Sequence, residues 1–300
     1  MQAFYATYGR LTSPGRHEAL FDGLPSGIGA LAEIAQGLIV HEFLTQRYGF
    51  ELSDERRAMV HVRPVEEMLD HIAAEDSSPL TAAREPAARF VGDCRHFTVL
   101  TVAMLRAQGT PARARCGFGG YFGSGMFEDH WVCEYWNADA GRWVLADAQL
   151  DDMQRRLFGI DFDPLDVPRD QFVVAGQAWA QYREGKADPA SFGLSAMKEG
   201  GDWWIASNLV RDVAALNNME MLPWDVWGAM PKPDETIDDE RVALFDRLAG
   251  LTRNPDFPLS GLTGAYLNDD RLRVPDNVFN GVLKRVDAIA PQKPQPTADR

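Results

Sequence analysis

Apolar residues in the first part of the chain recur at every third or fourth position, which is the period of an amphipathic helix. One such pattern covers residues 28–39, with Ser26 as the expected N-cap and Gly49 as the expected end. A second pattern covers residues 65–73 and also places its apolar side chains on one face. Residues 1–89 are therefore predicted to form a helical region.

The middle of the chain changes from helical spacing to alternation. Residues 97–108 form an uninterrupted helical pattern, which Gly109 ends. Residues 112–118 alternate between apolar or small side chains and arginines, as a strand with one buried face does. Two runs rich in aromatic and β-branched residues follow, at 130–136 and 142–148. Turn-forming residues lie between these runs, so the pattern predicts a β-hairpin.

Helical spacing returns after residues 161–170, which are dense in Asp and Pro. Residues 204–216 and 242–248 each suit a helix with one apolar face. The pattern as a whole predicts a mixed α+β segment between two helical regions. Its parts are a helical N-terminal region at 1–89, an α+β core at 90–160, a mainly helical region at 161–290 and a disordered tail at 291–300.

The composition is that of a globular protein, and the charge narrows the expected partners. Of 300 residues, 45% are hydrophobic and 25% are charged, which excludes collagen-like, coiled-coil and largely disordered chains. The net charge of −14, with no cluster of Lys or Arg, argues against a nucleic-acid partner. The apolar segments are too interrupted to span a bilayer, and the N-terminus does not resemble a secretory signal. We therefore expect no membrane partner and a cytoplasmic location.

Three cysteines are too few for a disulfide framework, and one at least must stay unpaired. Cys116 and Cys133 fall on predicted strands and suit the core. Cys94 instead falls just where a helix is expected to start. The positive end of the helix dipole favours a thiolate there, and first-turn amides can donate to an oxyanion. Gly92, two residues earlier, would let a substrate approach the backbone, so Cys94 is a candidate nucleophile.

The predicted hairpin places a base and an acid near each other. His130 begins its first strand, and Asp147 lies at the end of its second. If the loop has two or four residues and the pairing is regular, the two side chains share one face, directly opposite or diagonal. A three-residue loop without a bulge would place them on opposite faces, so the prediction depends on register. In the shared-face arrangement Asp147 orients the imidazole, whose other nitrogen faces the thiol.

These residues lie in the segments GDCRHFTVLTVAMLRAQGTPAR, EDHWVCEYW and RWVLADAQLD. Over residues 90–151 the chain resembles the transglutaminase-like superfamily, in which a Cys on a helix precedes a His and an Asp on adjacent antiparallel strands. The resemblance implies an α+β, cysteine-proteinase-like catalytic core in which a helix bearing the Cys packs on a small antiparallel sheet. It places the catalytic triad on Cys94, His130 and Asp147. Gly92, His96 and Trp131 adjoin these residues and are the candidate substrate contacts.

The resemblance also implies a reaction. Members of the superfamily form a thioester on the Cys from an amide or ester, then release the acyl group to water or to an amine. We expect an amidase- or peptidase-type hydrolase acting on a small-molecule or peptide acyl substrate, without a cofactor. An amide-forming acyltransferase with an amine acceptor is the alternative within this mechanism. A further alternative, from a different class of protein, is a binding module that has lost its catalytic activity.

Several nearby residues have simpler explanations. His96 is placed to tune the thiol or to contact substrate, but also to hold the start of the helix, and Asp93 suits a helix cap. A zinc site built from Cys94, His96, His130 and Cys133 is disfavoured, because side chains an odd number of residues apart on one strand point to opposite faces. Structural roles are expected for the remaining histidines, which are His17, His41, His61 and His71.

Overall fold

The computed structural model of the chain describes residues 1–233 and 235–289. The α-helices within these residues are α1 (Gln2–Tyr5), α2 (Ile28–Leu38), α3 (Asp54–Arg57), α4 (Val65–Glu75), α5 (Cys94–Ala107), α6 (Asp152–Phe158), α7 (Ala175–Arg183), α8 (Asp202–Ala215), α9 (Asp239–Thr252) and α10 (Leu259–Asn268). The strands are β1 (Ile39–His41), β2 (Phe90–Gly92), β3 (Ala112–Gly119), β4 (Phe127–Asn137), β5 (Arg142–Ala146), β6 (Phe172–Val174), β7 (Phe192–Leu194), β8 (Glu199–Gly200), β9 (Asp225–Val226), β10 (Asn277–Asn280) and β11 (Arg285–Ala288). The predicted tail at 291–300 lies outside the described residues.

The largest sheet has β3 and β4 at its centre. Its strand order is β6–β3–β4–β7–β8, and β5 pairs with β4 beside β7. The pairings are antiparallel except for a short parallel one between β4 and β7. Helix α5 packs on β3 and β4. The predicted α+β class is therefore confirmed, with the helix that begins at Cys94 lying against a small, mostly antiparallel sheet.

Helices from both flanking regions bury their apolar faces against this sheet. One buried cluster joins α2, α4 and α5 to the sheet at Ala112 and Cys133. Another joins α7, α8 and α9 to the sheet at Phe118 and Val173. Two strands of the region at 161–290, β6 and β7, are themselves part of the sheet. The core segment predicted from the sequence is thus enclosed by elements from both ends of the chain.

The first predicted helix differs from the structure at both ends. The helix α2 begins after Gly27, which is its N-cap. No side chain caps the helix, so Ser26 does not have the expected role. It ends before Ile39, which starts the strand β1 and pairs in parallel with β2. Gly49, in the left-handed conformation with φ of 88°, ends a separate 3₁₀ helix at Glu42–Tyr48. The apolar period continued past the true end of the helix because Ile39 is buried in a strand as it would be in a helix.

A buried charge network ties β3 to β4. Glu134 accepts hydrogen bonds from Arg113 Nε at 2.7 Å, from Arg115 Nη1 at 3.0 Å and from Arg169 Nη2 at 2.6 Å. The side chains of Glu134, Arg113 and Arg115 are fully buried. Asp212 of α8 accepts a hydrogen bond from the other side of Arg115 at 2.9 Å and another from the Cys116 amide of β3. The arginines hold the pKa of Glu134 far below its usual range, although burial opposes this.

Replacing Glu134 by Gln should destabilise the protein by about 3 to 5 kcal/mol, because two buried arginines lose the charge that compensates them. The free energy of unfolding can be measured by urea denaturation followed by tryptophan fluorescence. Since the folded-state pKa of Glu134 is lowered, its contribution should be full above the usual carboxyl value of 4.5 and should shrink as the pH falls further.

The matched control for this change is Asp166→Asn. Asp166 pairs with Arg142 on the surface, where the two side chains are 46% and 52% exposed. That substitution should cost about 1 kcal/mol or less. Equal effects of the two substitutions would show that the buried network does not hold the sheet together.

Candidate active site

The start of α5 is fixed by a reciprocal cap. Asp93 is the N-cap, and its carboxylate accepts from the amides of Arg95 at 2.8 Å and His96 at 3.3 Å. His96 Nδ1 accepts in turn from the Asp93 amide at 3.1 Å, and its Nε2 lies 2.9 Å from the carbonyl oxygen of Val62. The predicted cap is present. His96 is fully buried, and both of its ring nitrogens have hydrogen-bond partners. The sequence left open whether His96 serves the site or holds the start of the helix, and these contacts favour the second role.

Cys94 is the first residue of α5, and its side chain is almost wholly buried. It belongs to a small buried cluster with Ala114, Cys116, Trp131 and Ala215. Burial raises the pKa of the Cys94 thiol, and the carboxylates of Asp93, Asp129 and Asp147 raise it further, whereas a hydrogen bond from the Trp131 backbone lowers it. These effects oppose the helix dipole, which favours a thiolate at the start of α5. A thiol in this environment needs a base to accept its proton.

The base candidate is held by a carboxylate. His130 Nε2 lies 2.8 Å from Asp147 Oδ2, and both side chains are buried. The two residues are diagonal neighbours, because β4 and β5 pair in a register such as Cys133 with Ala146 and Asn137 with Arg142. This register closes a four-residue loop, so the expected placement of His130 and Asp147 on one face is observed.

Asp147 is itself positioned by two further donors. The Tyr121 hydroxyl donates to Oδ2 at 2.7 Å, and the Gln149 amide donates to Oδ1 at 3.0 Å. Burial and the negative charge of Asp147 raise the pKa of Tyr121 well above its usual value, so the hydroxyl remains a donor. Tyr121 was not foreseen from the sequence. Its position in a glycine-rich connection beside an aromatic neighbour, Phe122, is the one local signal that it differs from a core tyrosine.

Aromatic rings surround the imidazole of His130. The ring centroids of Phe122, Tyr121 and Phe172 lie 4.9, 5.9 and 6.2 Å from that of His130, all in edge-to-face arrangements. The Nδ1 atom of His130 has no hydrogen-bond partner among residues 1–233 and 235–289. The next residue, Trp131, packs with Cys94. One ring nitrogen is therefore anchored on Asp147, and the other is available.

The other two candidate substrate contacts, Gly92 and Trp131, are buried. Gly92 is buried, and a Cβ there would come within 2.8 Å of the His96 Cβ, so the close packing of β2 on α5 requires glycine. Trp131 is fully buried, and its indole N–H has no partner in the described part of the chain. Cys116 and Cys133 are also fully buried.

A residue to which the sequence assigned a structural role lies beside the site. His41 ends β1 and pairs with Gly92, two residues before Cys94. Its ring interacts electrostatically with Asp93, His130 and Asp147. Sequence spacing gave no sign of this, because β1 and β2 are brought together only by the parallel pairing.

The described residues contain no group of three His, Cys, Asp or Glu side chains arranged to hold a metal ion. Within the same residues, no helix combines the length and apolar character needed to cross a bilayer.

Residues 52–148 match the family model of the transglutaminase-like superfamily, which confirms the resemblance of this segment to that family. The match begins before α3 and ends just after Asp147, so it includes all three proposed catalytic positions. The fold and this match support a cysteine-type enzymatic function in general.

Among solved structures, the chain is similar to a candidate cysteine protease from Cytophaga hutchinsonii, with 16% identity and a TM-score of 0.32. The similarity covers 57% of this chain and 44% of that one, so the match extends over less than half of the length of the other protein. No curated protein matches the chain.

Replacing Asp93 by Asn should make Cys94 more reactive. Asn also caps helices well, so α5 should keep its start, whereas one of the negative charges that raise the pKa of the thiol is removed. The pH profile of Cys94 alkylation should move to lower pH by about one unit. Mass spectrometry after iodoacetamide treatment at several pH values measures the profile.

Asp238→Asn is the matched control, because Asp238 caps α9 through the Arg241 amide and is not among the charges that act on Cys94. Its alkylation profile should equal that of the wild type. An unchanged profile in Asp93→Asn would contradict the electrostatic account of the thiol.

Proposed function

We propose that the protein is a cysteine-dependent acyl-transfer enzyme in which Cys94 is the nucleophile, His130 the general base and acid, and Asp147 the residue that orients His130. The single observation that carries this proposal is the His130 imidazole, which is anchored through Nε2 on Asp147 while its Nδ1 is unpaired. A nucleophile, a base and an orienting carboxylate are the parts that acyl transfer requires.

The proposed reaction begins with proton transfer from the Cys94 thiol to His130 Nδ1. The sulfur attacks the carbonyl carbon of an amide or ester, a C–S bond forms, and the carbonyl electron pair moves to oxygen. When that pair returns, the bond to the leaving group breaks and His130 supplies the leaving group with the proton. Water or an amine then attacks the thioester with His130 again acting as base, and free Cys94 is regenerated.

The raised pKa of Cys94 makes the base essential in this scheme. The thiol is buried among carboxylates, so a free thiolate is disfavoured. A thiolate beside a protonated His130 leaves the net charge of the site unchanged. Asp147 stabilises that imidazolium directly, and Tyr121 and Gln149 keep Asp147 in place.

We propose hydrolysis as the reaction of this enzyme, most simply of an amide or peptide bond, with an amide-forming transfer as the alternative. Both share every step up to the thioester. Hydrolysis needs only water, whereas transfer requires a binding place for the amine acceptor. The proposed substrate is a small-molecule or peptide acyl compound, because the proposed residues act on an acyl carbonyl group.

Iodoacetamide labelling tests the proposed pair directly. At pH 7 the wild type should be alkylated at Cys94, and His130→Ala should slow this by about tenfold or more, since one pKa unit changes the thiolate fraction tenfold. The difference should narrow at high pH, where hydroxide removes the proton instead. Cys116 and Cys133, which are fully buried, are the internal controls and should stay unlabelled. Equal labelling of all three cysteines in the wild type would refute the assignment.

The fate of the thioester separates hydrolysis from transfer. After acylation with an activated ester, the carboxylic acid should be the main product even when a small primary amine is added in millimolar excess. Mass spectrometry of the products measures the partition. Cys94→Ala is the control, and it should form neither product while losing about 1 kcal/mol of stability or less, because only one sulfur is removed. A predominance of amide would instead establish an acyltransferase.

A further inference from the structure

The side chain of His41 faces the start of α5. His41 is aligned with Gly92 in the parallel pair of β1 and β2, and aligned residues project to the same side of a sheet. The direction in which Gly92 would carry a Cβ leads to the His96 Cβ, in the first turn of α5. His41 therefore projects toward the helix end that begins with Cys94.

The hydrogen bonds of His41 fix its tautomer. Its Nδ1 accepts from the Phe43 backbone amide at 3.2 Å. An accepting Nδ1 carries no proton in the neutral ring, so the proton is on Nε2. No acceptor for that Nε2–H is present within residues 1–233 and 235–289, and the ring is partly exposed. His41 thus offers a free donor.

Burial and the neighbouring groups keep the His41 ring neutral. Burial lowers the pKa of His41 to about 4, with His130 and His96 lowering it too and Asp93 and Asp147 raising it. Two of these groups lie at the start of α5, and the other two form the His130–Asp147 pair. The His41 ring is therefore near both parts of the proposed site, and at neutral pH it can donate a hydrogen bond without acting as an acid.

One donor for an oxyanion is already present in the helix. The Cys94 amide lies in the first turn, where no intrahelical acceptor exists, and within the described ranges it makes no hydrogen bond. Oxyanion holes pair such an amide with a second donor from a different element.

We propose that His41 Nε2–H is the second donor, so that it and the Cys94 amide together bind the oxygen of the acyl carbonyl. This inference rests on the proposed function and identifies the residue that would stabilise its charged intermediate. When the C–S bond forms, the electron pair moves to the oxygen and is held by the two donors. It returns when the leaving-group bond breaks, and His41 keeps its proton throughout.

Two reactions of the same sulfur test this role. Acylation by p-nitrophenyl acetate passes through a tetrahedral oxyanion, whereas alkylation by iodoacetamide does not. His41→Ala should slow release of p-nitrophenolate by about 10²- to 10³-fold, the usual effect of removing one oxyanion donor. Alkylation of Cys94 should change little. His41→Gln should recover much of the acylation rate, since its amide N–H can donate.

His41→Phe keeps a ring at this position but has no hydrogen-bond donor. It is used instead of His41→Ala if that variant does not fold, and circular dichroism measures folding. His71→Gln, on the exposed side of α4, is the matched control and should leave both rates unchanged. Equal slowing of both reactions by the donor-free variants would overturn the proposal, because His41 would then act on the thiol. Unchanged acylation would overturn it as well. A wild type that reacts with neither reagent at Cys94 would refute the proposed function itself.

Discussion

The arrangement of His130 and Asp147 depends on the register between β4 and β5. In this register Cys133 is opposite Ala146, and the histidine and aspartate become diagonal neighbours on one face. A shift by one residue would send Asp147 to the opposite face of the sheet. It would also separate the aspartate from Tyr121, which binds it from the β3–β4 connection. The proposed base would then lose the carboxylate that fixes its tautomer.

Buried charge fixes the neighbouring register, in which β4 pairs with β3. Glu134 lies on β4 between two arginines of β3, and a slipped pairing would leave these charges buried without partners. The helix α8 continues the network through Asp212, which binds both the Arg115 side chain and the Cys116 amide of β3. The helical region after residue 160 therefore supports the sheet that carries His130. A minimal core of residues 90–160 would lack Asp212 and the strand β6.

Local patterns in the sequence were enough to place the hairpin and the helix after Cys94. Alternation, turn residues and a four-residue loop limited the register, so the approach of His130 to Asp147 was predictable. The predicted helix extends beyond the observed end of α2, because burial alone does not distinguish the last turn of a helix from the first residue of a strand. His41 and Tyr121 could not be placed, since each reaches the site through a pairing or a loop conformation that depends on distant residues. The sequence shows the helix dipole at Cys94 but not the depth at which the thiol is buried, which raises its pKa.

The charges around Cys94 determine what kind of catalysis the site can support. The carboxylates that act on the sulfur, Asp93, Asp129 and Asp147, all disfavour a negative charge on it. The same carboxylates would disfavour an oxyanion formed beside it. In the proposed mechanism the proton of Cys94 therefore moves to His130, whose imidazolium compensates the charge on the sulfur. An oxyanion beside the sulfur therefore requires hydrogen-bond donors aimed at its oxygen. A neutral histidine and a backbone amide satisfy that requirement.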